Sequence, residues 1–250
     1  MRLIVNADDL GLSEAVNQET FALMAEGLVT SASIMAAGRA VASLPGRMAA
    51  LPGISFGVHL TLTELQPVSG SAGLEPLLDE GGAFCNVIRQ THLAPPLLTA
   101  IRRELCAQVE FVRGLGAGVS HADSHHHMHT IPQLLPVLKD VLRSCGVPAV
   151  RLSKNLYCRR ERPGLPRLVQ KSLFNLVLTR LPRLRHADYF TNLHGLLETL
   201  PSLGPGPRSA EVMVHAGTQA AHSQDEIALL RALPAIPGAR QLRFVSYRDV

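Results

Sequence analysis

The sequence predicts an α/β fold, a distorted or incomplete (β/α) barrel of about seven parallel strands, and three observations carry that prediction. Short apolar, β-branched runs alternate with longer stretches of helical period, the pattern of repeated strand–helix units on a parallel sheet. The 250 residues suit a one-domain barrel, which typically takes roughly 250. With no Trp, seven Phe and three Tyr, the interior must be filled by Leu, Val, Ile and Ala, as where helices cover a parallel sheet.

The first strand is expected at Leu3 to Asp9, where Leu3-Ile4-Val5 runs into an acidic pair. Ser13 then caps a helix through Val16, Thr20, Leu23 and Met24 that stops at Gly27, with Glu14 favourable in its first turn. Strands follow at Thr30 to Ala37, Ser55 to Thr63 and Gly118 to His126, with an amphipathic helix at Leu97 to Leu115 that Gly114 and Gly116 end. Another helix begins near Pro132, a good first helical residue, holds Pro136 in its first turns and stops at Gly146. Strands are expected again at Ala149 to Ser153, Ala210 to Ala216 and Gln241 to Tyr247, with a short helix at Asp225 to Leu233. No repeat, low-complexity tract or linker divides the chain, so residues 1–250 read as a single domain.

Composition narrows the class. Apolar residues make up 46% and charged residues 18%, enough for a large core and not the balance of a disordered chain. Apolar runs are broken well before the roughly 18 residues that span a bilayer. Met1-Arg2 leads directly into Leu3-Ile4-Val5 and Asp8-Asp9, leaving no room for a signal-peptide core, so a cytoplasmic location is expected. Cys85, Cys106, Cys145 and Cys158 lack C-x-x-C spacing and read as reduced structural thiols.

The net charge of +4 is uneven: between Arg151 and Arg185 ten Lys or Arg face a single acid, Glu161. Leu165, Leu168, Val169, Leu173, Leu176 and Val177 fall at helical spacing there, flanked by Arg159, Arg160, Arg162, Arg167, Lys171 and Arg180. An amphipathic helix packed on the barrel with a solvated basic edge is the first expectation; a peripheral membrane contact through residues 159–178 is the sharper one. Nucleic acid is not an expected partner, because the cations lack interleaved aromatics. A homodimer is the other partnership considered.

The chemistry lies at strand ends, which in a parallel βα architecture face one pocket. Asp8 and Asp9 end the first strand, His59 lies on the third, Asp123 and a histidine run on the fourth, and His215 ends the sixth. On an extended chain His121, Asp123, His125, His127 and His129 would share one face. Burying such a set without partners costs several kcal/mol, and metal ligation relieves that cost. His92, His186 and His222 read instead as ordinary structural or surface histidines. Two successive acids cannot serve one ion equally, so one ligates while the other orients or deprotonates water. Two histidines and a carboxylate leave coordination positions open, as a catalytic site needs.

The strings Ile4-Val5-Asn6-Ala7-Asp8-Asp9-Leu10-Gly11-Leu12-Ser13, Val29-Thr30-Ser31, Gly57-Val58-His59-Leu60, His121-Ala122-Asp123-Ser124-His125-His126-His127, Glu211-Val212-Met213-Val214-His215 and Ser246-Tyr247-Arg248-Asp249 resemble the YdjC family of carbohydrate deacetylases, which includes the chitooligosaccharide deacetylases. The resemblance spans the whole chain; Leu10, Ala122 and Ala216 depart from the family's usual residues and bear on pocket shape. It implies a distorted (β/α) barrel, one divalent metal ion (Mg or Zn) and hydrolysis of N-acetyl groups on glucosamine-type sugars, oligosaccharide or lipid-linked. It implies Asp9 as the metal carboxylate, His59 and His125 as the metal imidazoles and Asp8 as general base. By analogy with other sugar deacetylases, His215 is the candidate acid for the leaving amine. Arg151, Asp123 and His127 are supporting or substrate-binding candidates; Arg151 either holds Asp8 ionised or forms a surface ion pair. The competing readings are a metal-dependent phosphoesterase and a metal-binding regulatory protein without turnover.

Overall fold

The computed structural model describes residues 1–157, 163–180, 184–202, 208–218 and 221–250. In chain order the elements are β1 (Arg2–Leu10), α1 (Glu14–Ala25), β2 (Ser31–Ile34), α2 (Leu44–Ala49), β3 (Ser55–Leu60), α3 (Pro95–Gly114), β4 (Ala122–Ser124), α4 (Leu135–Ser144), α5 (Leu165–Arg180), β5 (Tyr189–Asn192), α6 (Leu193–Thr199), β6 (Ser209–Val214), α7 (Ala221–Ala232) and β7 (Arg243–Phe244), with short 3-10 turns between them. Caps behave as their chemistry requires: Ser13 accepts from the Val16 backbone amide at the start of α1, and Asn192 from that of Gly195 at the start of α6.

The strands pair in parallel in the order β4-β3-β2-β1-β6-β5. β1 lies at the centre: β6 takes one edge from Arg2 to Ala7, while the other is shared by β7 at Arg2 and Leu3 and by β2 from Asn6 onward. Alternate residues of β1 serve two cores. Leu3, Val5 and Ala7 join the large aliphatic cluster with residues of the surrounding helices, whereas Ile4 joins a small one with Ala149, Ala187, Val245 and Tyr247 inside the curl of the sheet. Asn6 and Asp8 therefore continue the inward face of Ile4.

The fold class agrees with the sequence reading, an incomplete barrel of seven parallel strands, but its membership differs in two places. Residues 149–153, expected as a strand, make only single bridges: Val150 to Ala122, Ala149 to Arg185 and, slightly further on, Asn155 to Phe190. That segment draws the two ends of the sheet toward each other without a ladder. β5, Tyr-Phe-Thr-Asn, was not expected; four residues with two polar ones carry too little pattern to show as a strand.

The expected packing of the basic helix is also corrected. α5 turns Asn175 and Leu178 inward, while Leu165, Val169, Leu173, Leu176 and Val177, the anticipated core face, are exposed. Arg159, Arg160, Arg162 and Cys158 lie outside the described residues, as does the His222 side chain; Cys85, Cys106 and Cys145 are free thiols.

Candidate functional site

Two consecutive carboxylates reach the rim of the barrel because the end of β1 is irregular. The register with β2 slips between Ala7 and Leu10, and Asp9 takes φ 63°, a left-handed conformation that costs a non-glycine residue on the order of 1 kcal/mol or more. A regular strand would send Asp9 to the face opposite Asp8; the bulge turns it to the rim.

Asp9, His59 and His125 come together there. Asp9 Oδ1 lies 3.2 Å from His59 Nε2 and 3.0 Å from His125 Nδ1. The three offer ligand atoms within 4.8 Å of one another, a cluster compatible with a divalent metal. His59 is oriented from behind: its Nδ1 meets Asp123 Oδ1 at 2.7 Å, the carboxylate–histidine arrangement that fixes a ligand's tautomer. Ser33 donates its hydroxyl to Asp123 Oδ2 at 2.9 Å. Burial pushes His59 down, but the neighbouring Asp123 outweighs it and lifts the imidazole well above its ordinary pKa. Asp9 is also buried, yet hydrogen bonds from His125 and His59 hold its carboxyl far below the usual range.

Asp8 faces a different partner. Arg151, which is fully buried, donates to Asp8 Oδ2 at 2.8 Å and to Oδ1 at 2.6 Å, a two-pronged clamp. The same guanidinium reaches Asp123 Oδ2 at 2.7 Å and Glu211 Oε1 at 2.8 Å. Burial raises the Asp8 carboxyl and Arg151 lowers it; the guanidinium wins and keeps it ionised. Glu211 ends the other way, its pKa raised by burial despite Arg151, and accepts a bond from the Tyr247 hydroxyl. The buried ion pair, not the surface bridge, is thus the arrangement Arg151 adopts.

A family model described as YdjC-like protein matches residues 2–245. The chain belongs to the YdjC-like family. Its relatives include a carbohydrate deacetylase of Vibrio cholerae serotype O1 (strain M66-2), 36% identical over 148 residues, 59% of this chain and 58% of that protein. The matched part therefore spans a little over half of that relative. A chitooligosaccharide deacetylase of Enterobacter sp. (strain 638) is 33% identical over 222 residues, 85% of this chain and 80% of its own length. In fold, the YdjC-like chain is similar to a crystal structure from Enterococcus faecalis V583, a candidate for cellobiose-phosphate cleavage, with TM-score 0.77, 21% identity and coverage of 99% and 98% of the two chains.

The histidine run of this YdjC-like chain does not lie on one extended face. β4 ends at Ser124, and residues 125–130 form a tight turn in which His126 and His127 have φ 50° and 51°. Arg89 holds that turn by donating to the carbonyls of His126 and His127 at 3.3 and 3.1 Å. His125 joins the Asp9 cluster and its Nε2 meets Glu64 Oε2 at 2.9 Å. His121 instead stacks on Tyr247, rings 3.8 Å apart, against the bare backbone of Gly57, where any Cβ would meet its ring. His129 Nδ1 bonds Ser124 Oγ. Burial depresses the pKa of His127 to about 4 and of His121 to about 3, and it lowers those of His126 and His129 as well.

A cavity of about 410 Å³ lies beside the cluster, walled by His127, His129, Arg151, Lys171, Phe174 and Phe190 among others. Asp9, His59 and His125 are not among its lining; it meets them through Arg151, bonded to Asp8, and His126, whose ring centroid is 4.0 Å from that of His125. His215 follows β6, its backbone amide donating to Glu226 Oε2 at 3.1 Å. Burial lowers its pKa, but Glu226, with Asp8 and Asp9, raises it on balance.

Sequence reasoning missed Asn6, whose Nδ2 donates to Asp8 Oδ1 at 2.8 Å, and Ser33, Glu64, Glu211 and Tyr247. Asn6 carried a positional signal, standing two residues before Asp8 on the same strand face, and Glu211 and Tyr247 stood in the strings that resemble the family, though nothing local pointed them at Arg151. His92 is exposed, as expected of a surface histidine.

Proposed function

We propose that this protein is a deacetylase that hydrolyses the N-acetyl group of an N-acetylglucosamine-type sugar and releases acetate, with Asp9, His59 and His125 holding one divalent metal ion. One observation carries the reading: a three-ligand cluster at the barrel rim stands beside a second carboxylate, Asp8, clamped as an anion by Arg151. Two imidazoles and one carboxylate with positions left open favour zinc over magnesium. The deacetylase relatives supply the substrate class.

A divalent cation held by Asp9, His59 and His125 would supply Lewis acidity toward the acetyl carbonyl and would lower the pKa of water. Asp8, ionised and fixed by two guanidinium bonds, accepts the proton of the attacking water. His215, with its pKa raised by Glu226, delivers a proton to the departing nitrogen as the C–N bond breaks. His127, depressed to about 4, is neutral near pH 7 and is the poorer acid. Asp123 acts through His59, setting which nitrogen faces the metal. Arg151 acts through Asp8. His127 and His129 are the substrate contacts: both line the cavity, and His129 Nε2 is buried without a hydrogen-bond partner among the described residues.

The test is a release screen over free, oligomeric and lipid-linked N-acetylhexosamines and over phosphomonoesters, with metal content measured alongside. Acetate release that stops on chelation is expected. Phosphate release without acetate would assign a phosphoesterase, and metal-loaded protein that releases neither would assign a binding protein.

A further inference from the structure

α5 separates two unlike environments. Its inner side contributes Arg167, Gln170, Lys171 and Phe174 to the wall of the cavity, and Lys171 Nζ is tied to Asn155 Oδ1 at 2.9 Å and to the Tyr157 hydroxyl at 2.6 Å. Its outer side carries Leu165, Val169, Leu173, Leu176 and Val177, spaced as neighbours on one helical face and exposed at 73%, 49%, 57%, 44% and 45%. Five of the six large exposed hydrophobic side chains among the described residues fall on this one face. Isolated exposed leucines are ordinary, but a contiguous apolar stripe marks a contact surface.

The charge around the stripe selects the occupant. From Leu165 to Arg180 the helix holds Arg167, Lys171 and Arg180 and no acid, and from Lys154 to Arg185 nine cations stand against Glu161 alone. A second copy of the chain seated here would bring two such basic segments together, with like charges opposed. An anionic lipid surface satisfies both features, taking the apolar side chains below its headgroups and Arg180, four residues past Leu176 on the same face, among its phosphates, while the net positive charge of the segment draws the helix to the negative surface. Among the described residues no helix is long and apolar enough to cross a membrane, so the contact is peripheral.

We propose that the outer face of α5 seats this protein on anionic membrane surfaces. The helix then lies in the interface plane, with the cavity wall on its other side. This inference does not rest on the deacetylase reading, since it concerns binding alone.

The experiment is flotation of the full chain with vesicles of phosphatidylcholine alone or mixed with phosphatidylglycerol. Flotation with the mixed vesicles at low salt is expected, falling steeply at about 0.5 M NaCl as the charges are screened. Leu173→Glu with Val177→Glu, both on the exposed face and checked by circular dichroism, should abolish it. Arg180→Ala should lower the partition coefficient roughly five-fold. No flotation with mixed vesicles at low salt, or equal flotation of the Glu variant, overturns the proposal. So does sedimentation showing a dimer that the Glu variant dissociates, because a second copy would then be the occupant.

Discussion

Asp8 and Asp9 are neighbours in the chain with different partners, and they should fail differently. Asp9→Asn replaces the carboxylate of the cluster with a neutral amide, and metal content and acetate release should fall together. Asp8→Asn should keep the metal and lower kcat by about 10²- to 10⁴-fold, the usual contribution of a positioned base. Elemental analysis beside kinetics decides it; a metal-free Asp8→Asn with a metal-replete Asp9→Asn would exchange the roles. Arg151 is the residue on which this part of the interior depends, because Asp8, Asp123 and Glu211 all bond its guanidinium. Arg151→Met should cost about 3–5 kcal/mol in urea unfolding by leaving buried acids without a cation. Arg151→Lys should recover only part of this, since an ammonium lacks the planar fork.

At the scale of elements, irregular backbone does what regular strands cannot. The bulge at Asp8–Asp9 and the left-handed turn at His126–His127 were not visible in the sequence, because alternation patterns assume an unbroken strand. The strand ending at Ser124 was expected to continue, and its early end moves His125 into the cluster and His127 to the cavity wall. The cost of that turn is measurable. His126→Gly should be more stable than His126→Ala by about 1 kcal/mol, because only glycine adopts positive φ without a Cβ penalty; equal urea midpoints would show the turn to be remodelled. β1, by contrast, was legible with nearly correct bounds, as was α1 with its Ser13 cap, since each combines strong periodicity with an end signal.

Across the whole molecule, the buried histidines make stability depend on pH. His121 at about 3 and His127 at about 4 lie below the ordinary imidazole value of 6.5, so the unfolded chain takes up protons first as pH falls. Their contribution is complete above about pH 6.5 and is lost progressively between about 6.5 and 3, at ~1.4 kcal/mol per pKa unit for each group. His59, raised instead, loses its contribution on the alkaline side and does not oppose this window. In chelated protein Tm should therefore fall from pH 7 to pH 4.5, and His121→Gln should flatten that limb; an unchanged slope would refute the assignment. Metal binding acts on the same scale. Zinc at about 100 times its dissociation constant should stabilise by ~2.7 kcal/mol and raise Tm by about 5–10 °C in a chain of this size, read by calorimetry with and without chelator.

Taken alone, the sequence determined the fold class, most of the strands and the residue types of the site, because aliphatic runs, caps and clustered Asp and His residues are local signals. The tertiary structure decided which groups meet. Arg151 reaches Asp8, Asp123 and Glu211 across the inside of the sheet, Asp9 turns to the rim only through a backbone angle set at the β1–β2 pairing, and the apolar face of α5 is left uncovered. Periodicity states that a residue is apolar or polar on one side of an element. Which neighbour that side meets depends on chain that is distant in sequence, and only packing supplies it.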